Sequence, residues 1–137
     1  MDKVLLDPAL KSHFLNLYSI ALSDLEIDTT ELELLYKFGE LRGITKEEIN
    51  NIIISPDKIK FSIPESLEEK IEYLYEFAKM IWADGVVHNY ERNALQRFCK
   101  NFGFVEENIE EISEFLLEEA NKGTSNKDLI KLISNNL

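Results

Sequence analysis

The sequence predicts an all-α protein assembled from a duplicated helical unit, and three observations carry that reading. Apolar residues recur at helical spacing along almost the whole chain, while strand-like alternation is nearly absent. The stretch from Ser23 to Glu31 (Ser-Asp-Leu-Glu-Ile-Asp-Thr-Thr-Glu) is echoed by that from Ala83 to Glu91 (Ala-Asp-Gly-Val-Val-His-Asn-Tyr-Glu), at an offset of 84 − 24 = 60 residues. The offset then holds without a gap through Leu35/Leu95, Phe38/Phe98, Gly43/Gly103, Glu47/Glu107, Ile49/Ile109 and Ile52/Ile112. Self-similarity at a fixed period signals a repeated supersecondary unit. With two copies only, a domain with internal pseudo-twofold symmetry is expected rather than an open solenoid.

The elements follow in order. Asp7-Pro8 reads as an N-cap followed by proline at the first helical position, opening a helix to about Asp24 that buries Leu10, Phe14, Leu17, Tyr18 and Ala21. Asp28-Thr29-Thr30-Glu31 has the spacing of a capping box and opens a second helix, which Gly43 stops. Thr45 caps a third, carrying Ile49, Ile52 and Ile53 and ending before Pro56. Residues 57–64 read as an extended connection. A fourth helix starts near Ser66 and carries Ile71, Leu74, Tyr75, Ala78, Ile81 and Trp82. A fifth begins near Asn89 and stops at Gly103; a sixth runs from about Val105 to Lys122. Gly123 to Asn126 is a turn with an N-cap, and a seventh helix carries Leu129, Ile130 and Ile133. The expected layout is one domain over 1–137, with repeats at about 8–54 and 66–122 and a terminal helix at about 125–136.

Composition narrows the function. The 137 residues suffice for one domain with a real core, and 45% hydrophobic content argues against disorder. No run of about 18 apolar residues is present, so no membrane span is expected. The acidic N-terminus lacks a signal-peptide layout, and Cys99 is the single cysteine, which together lead to the expectation of a cytoplasmic, reducing location. A net charge of −11 argues against nucleic acid, which needs a basic face, and leaves basic proteins and cations as partners.

In both copies an acidic pair, Asp24/Glu31 and Asp84/Glu91, stands among otherwise apolar matches. Each Asp falls at a helix end, where the macrodipole disfavours a carboxylate. Each Glu falls in the first turn of the next helix, across a short loop. If the four converged, pairs about 5 Å apart would repel by roughly 3 kcal/mol at an effective dielectric of ~20, which protonation or a cation would have to relieve. Oxygen ligands favour a hard divalent ion, Ca²⁺ or Mg²⁺, then Mn²⁺. Glu26 and Asp28 are further candidate ligands in the first copy; His88 replaces Asp28 in the second and would draw the site toward Zn²⁺. The same positions suit helix capping with no metal at all: Glu31 and Glu91 are spaced as capping-box residues, and Asp24 could accept hydrogen bonds from its own turn. An EF-hand fits less well. Counting from Asp24, the sixth place holds Thr29 instead of Gly and the twelfth Leu35 instead of Glu.

The segments Ala21 to Glu31 and Met80 to Glu91, above all Ala83-Asp84-Gly85-Val86-Val87 with Glu91, resemble the two acidic motifs of the tellurite-resistance TerB-like domains. The resemblance covers nearly the whole chain. It implies a compact, duplicated all-helical domain whose paired acids, here Asp24, Glu31, Asp84 and Glu91, chelate a divalent metal, and a role in stress response or as a protein-binding module. Leu25 stands where the motif favours Gly, and His88 where an acid is common, so the half-sites differ.

Other residues read as structural. His13 is expected at the surface or core edge, Cys99 as a buried thiol, and Tyr73, Tyr75, Phe77, Trp82 and Phe98 as core. The run Glu106, Glu107, Glu110, Glu111, Glu114, Glu118 and Glu119 reads as a solvated face of the sixth helix, with docking of a basic partner as the alternative. No nucleophile–base constellation and no glycine-rich phosphate loop is present. The expected function is therefore a non-enzymatic, metal-binding interaction module. A metal-dependent hydrolase using the same acids and a metal-free helical scaffold are the alternatives.

Overall fold

The computed structural model describes residues 8–21, 29–55, 57 and 61–135. Among them lie seven α-helices and no strand: α1 (Pro8–Ala21), α2 (Thr29–Leu41), α3 (Lys46–Ile54), α4 (Leu67–Ile81), α5 (Asn89–Asn101), α6 (Glu106–Lys122) and α7 (Asn126–Asn135), with a 3-10 turn at Trp82–Asp84. The expected cap Asp7 and the residues 22–28 lie outside the described residues. The chain packs as two compact units, Met1–Pro64 and Glu65–Leu137.

Local sequence explains where the helices start and stop. Thr45 closes a full capping box: its Oγ1 accepts from Glu48 N–H at 3.1 Å, and Glu48 Oε1 accepts from Thr45 N–H at 3.1 Å. Ser66 Oγ accepts from Glu69 N–H to start α4. Gly43 and Gly103 take φ of +76° and +93°, a left-handed conformation that side chains resist, so glycine ends α2 and α5 alike. The hydrogen bonds are those of a Schellman cap in both places. Ile44 N–H reaches Gly39 O while Gly43 N–H reaches Glu40 O, and Phe104 N–H reaches Cys99 O while Gly103 N–H reaches Lys100 O.

In unit 1, α1, α2 and α3 pack pairwise around Phe14, Leu17, Leu35, Phe38, Ile49 and Ile52. A close approach falls at Gly39, in the last turn of α2. A Cβ there would overlap Ile49 Cδ1 and lie 3.2 Å from the Ile44 carbonyl oxygen. In unit 2, α4 is the central helix: Tyr73 to Ala78 are all buried, as are Ile71, Met80 and Ile81, and α5, α6 and α7 each pack against it. Beyond its exposed first turn, α4 is covered as the width of its apolar stripe leads one to expect. The position matching Gly39 holds Cys99, fully buried, with its thiol pushed up to about 12 by burial. Phe77 stacks on Phe98 at 4.4 Å beside it. His13, expected at the surface or core edge, is buried, edge-on to Phe14.

Two predictions come from this packing. Gly39→Ala gains helix propensity of about 1 kcal/mol, but overpacking a buried crossing costs about 1–3 kcal/mol, so net destabilisation is expected. Ile49→Val removes the overlapping δ-methyl. The double variant should therefore be more stable than the two single changes sum to, which denaturant unfolding of all four proteins measures.

The second prediction concerns alkaline pH. Because the Cys99 thiol is raised in the folded state, the unfolded chain releases that proton first. The associated stability is fully present below pH 9 and falls as pH rises toward 12. Cys99→Ala should flatten the decline of stability above pH 9, read by urea melts across that range.

Candidate functional site

The second acidic motif forms the corner between α4 and α5. The chain leaves α4 through the 3-10 turn, and Gly85, at φ +83°, reverses it with its N–H on Trp82 O. His88 then takes the N-cap position of α5. Glu91, third residue of the helix, is 7% exposed, and its Oε1 accepts from His88 N–H at 3.0 Å. This carboxylate satisfies one of the orphan donors at a helix start and lies where the macrodipole is positive. His88 is exposed, and its ring lies parallel to that of Tyr90, 5.2 Å away. Val86 and Tyr90 are exposed on the same corner, at 52% and 41%.

The first motif is described only in part. Glu31 is the third residue of α2, as Glu91 is of α5, and is equally buried at 6% exposure. Asp24, Glu26 and Asp28 lie outside the described residues, and for Asp84 only the backbone is described. Among the described residues, no cluster of three or more His, Cys, Asp or Glu side chains is arranged to hold a metal ion.

Elsewhere in unit 2, Glu119 departs from its expected place on a solvated acidic face. It is 7% exposed, while Glu106, Glu107, Glu110, Glu111, Glu114 and Glu118 face solvent. Its carboxylate accepts from Thr124 Oγ1 at 3.0 Å and Lys122 Nζ at 3.2 Å. Close by, the buried Tyr75 hydroxyl faces the Thr124 and Glu119 carbonyl oxygens at 2.5 and 3.1 Å. Burial, with the nearby Glu119 charge, raises the Tyr75 pKa against the opposing Thr124 hydrogen bond. Trp82 Nε1 donates to Leu117 O at 2.7 Å. The sequence signal for Glu119 is its spacing of three residues from Leu116, which puts both on one side of α6. On the outer side, Arg92 pairs with Glu114 and links α5 to α6.

Each unit also carries an open surface groove between its second and third helices. That of unit 1, about 680 Å³, is lined by Glu33, Tyr36, Lys37, Glu40 and Lys46 among others; Lys46 Nζ sits 5.3 Å from the Tyr36 ring. The groove of unit 2, about 480 Å³, is lined at the matching positions by Asn93, Gln96, Arg97, Lys100 and Glu106. The matching residues differ in charge at Glu40/Lys100 and Lys46/Glu106, so the grooves share a place but not a chemistry.

Among the described residues no helix is long and apolar enough to cross a membrane. Comparison with protein-family models, with curated proteins and with solved structures gives no match.

The hydrogen bond from His88 N–H makes a specific prediction for Glu91. Glu91→Gln keeps an oxygen acceptor and should cost no more than ~1 kcal/mol, whereas Glu91→Ala leaves the donor unsatisfied and should cost about 1–3 kcal/mol. Urea unfolding in EDTA distinguishes the two.

Proposed function

We propose that this chain is a non-enzymatic, TerB-like helical module built from a duplicated unit, and that it acts in stress response by binding a protein partner. The reading is supported by the agreement of helix bounds across the 60-residue offset. Both α2 and α5 have 13 residues, with α5 beginning and ending 60 residues after α2; α6 starts 60 residues after α3, and α4 ends 60 residues after α1. Equivalent Schellman caps and the equally buried Glu31 and Glu91 add to it. The pseudo-twofold arrangement of the two units belongs to this proposal.

In the same reading, the acidic pairs bind a divalent cation, Ca²⁺ or Mg²⁺ ahead of Mn²⁺ or Zn²⁺. Asp24 with Glu31, and Asp84 with Glu91, would hold it, and the ion would offset the mutual repulsion of the acids. A second reading has its own observation: the Glu91–His88 hydrogen bond favours a metal-free scaffold in which the acids only cap helices. The two are separated by thermal melts in EDTA and then in each ion. Metal binding selective for the folded state adds about 2.7 kcal/mol at a hundredfold excess over Kd, a rise of several degrees in Tm. Unchanged melting at millimolar levels of all four ions selects the capping scaffold.

A further inference from the structure

We propose that α7 is a strap on α4 that opens as a unit while the rest of unit 2 stays folded. The proposal rests on how differently the two partners are anchored. The α4 helix buries eight apolar side chains. Among the described residues of α7, Leu129 alone is fully buried; Ile130 and Ile133 are half-buried and Leu132 is 40% exposed. One side-chain hydrogen bond joins the mouth of this contact, from Lys79 Nζ to Asn126 Oδ1 at 3.0 Å. Elements with few buried apolar contacts open at a lower free energy than the core around them.

The second argument is that both ends of the junction are finished independently. Gly123 N–H on Ala120 O and Thr124 N–H on Glu119 O complete a Schellman cap on α6, with Gly123 at φ +77°. Thr124 is further tied to the body of unit 2 by the Glu119 carboxylate and the Tyr75 hydroxyl. The Ser125 hydroxyl accepts from Asp128 N–H and so caps α7 on its own account. A break at Ser125 thus leaves the end of α6 satisfied, and the body of the unit needs nothing from α7 to terminate its helices. Opening uncovers the α4 surface beneath Leu129 and parts Lys79 from Asn126, while Lys79 keeps its place over the Tyr75 ring.

Hydrogen exchange by mass spectrometry on the whole chain tests this. Peptides within 126–135 should exchange at least about tenfold faster than those of α4 and α6, at denaturant levels where the latter do not respond. Leu129→Ala should speed α7 exchange by a further tenfold or more while leaving α4 and α5 protection unchanged. Exchange of α7 in step with α4 in the unaltered protein would overturn the proposal. So would loss of protection across all of unit 2 in Leu129→Ala, since α7 would then belong to the cooperative fold.

Discussion

Unit 2 is organised around a buried hydroxyl. Tyr75 lies fully buried in the middle of α4, so its oxygen must find partners inside the protein or carry a desolvation cost of about 1–3 kcal/mol. It finds them at the carbonyls of Glu119 and Thr124, on either side of the turn that ends α6. That turn is therefore placed against the centre of α4, which sets how far α6 runs and where α7 departs. Trp82, seven residues on, repeats the device with Leu117 O. Two aromatic side chains, one on α4 and one on the 3-10 turn that follows it, thus read the backbone at the C-terminal end of α6 and the turn after it. Apolar packing alone, being non-directional, would not specify that register.

The acidic corner shows what a buried first-turn glutamate does for its helix. One oxygen of Glu91 is committed to the helix cap, and its burial means that the carboxylate is largely withdrawn from solvent. The cost is that the charge must be compensated at short range, by helix donors and dipole or by an added cation.

Features decided by neighbours in the chain were legible in the sequence. Thr45, Ser66, Gly43 and Gly103 act through backbone groups within a few residues, so their roles as caps and stops follow from residue type and position. The seven helices were legible for the same reason. Glu119 and His13 were not, because their burial depends on what packs against them. Glu119 shares a side of α6 with Leu116, but its burial is completed by Thr124 and Lys122, beyond the reach of that spacing. Trp82 was expected to continue α4; its backbone instead begins the 3-10 turn, the change being set by the reversal at Gly85. The acidic corner was legible as a repeated pair, but whether a carboxylate serves a helix or an ion depends on where each oxygen points, and residue spacing does not encode that.

The glycine at 39 and the cysteine at 99 occupy the same place in two helical pairs, yet they are not exchangeable parts. With glycine, α2 lets the δ-methyl of Ile49 press onto its backbone; with cysteine, α5 keeps a buried sulfur at that place. In unit 1 the third helix is matched to the residue it meets, in the way a key is cut for one lock. Any side chain placed at position 39 would meet the δ-methyl of Ile49 before it met anything else. The interior of unit 1 is therefore closed to any side chain at position 39, whereas α5 carries a buried one at position 99.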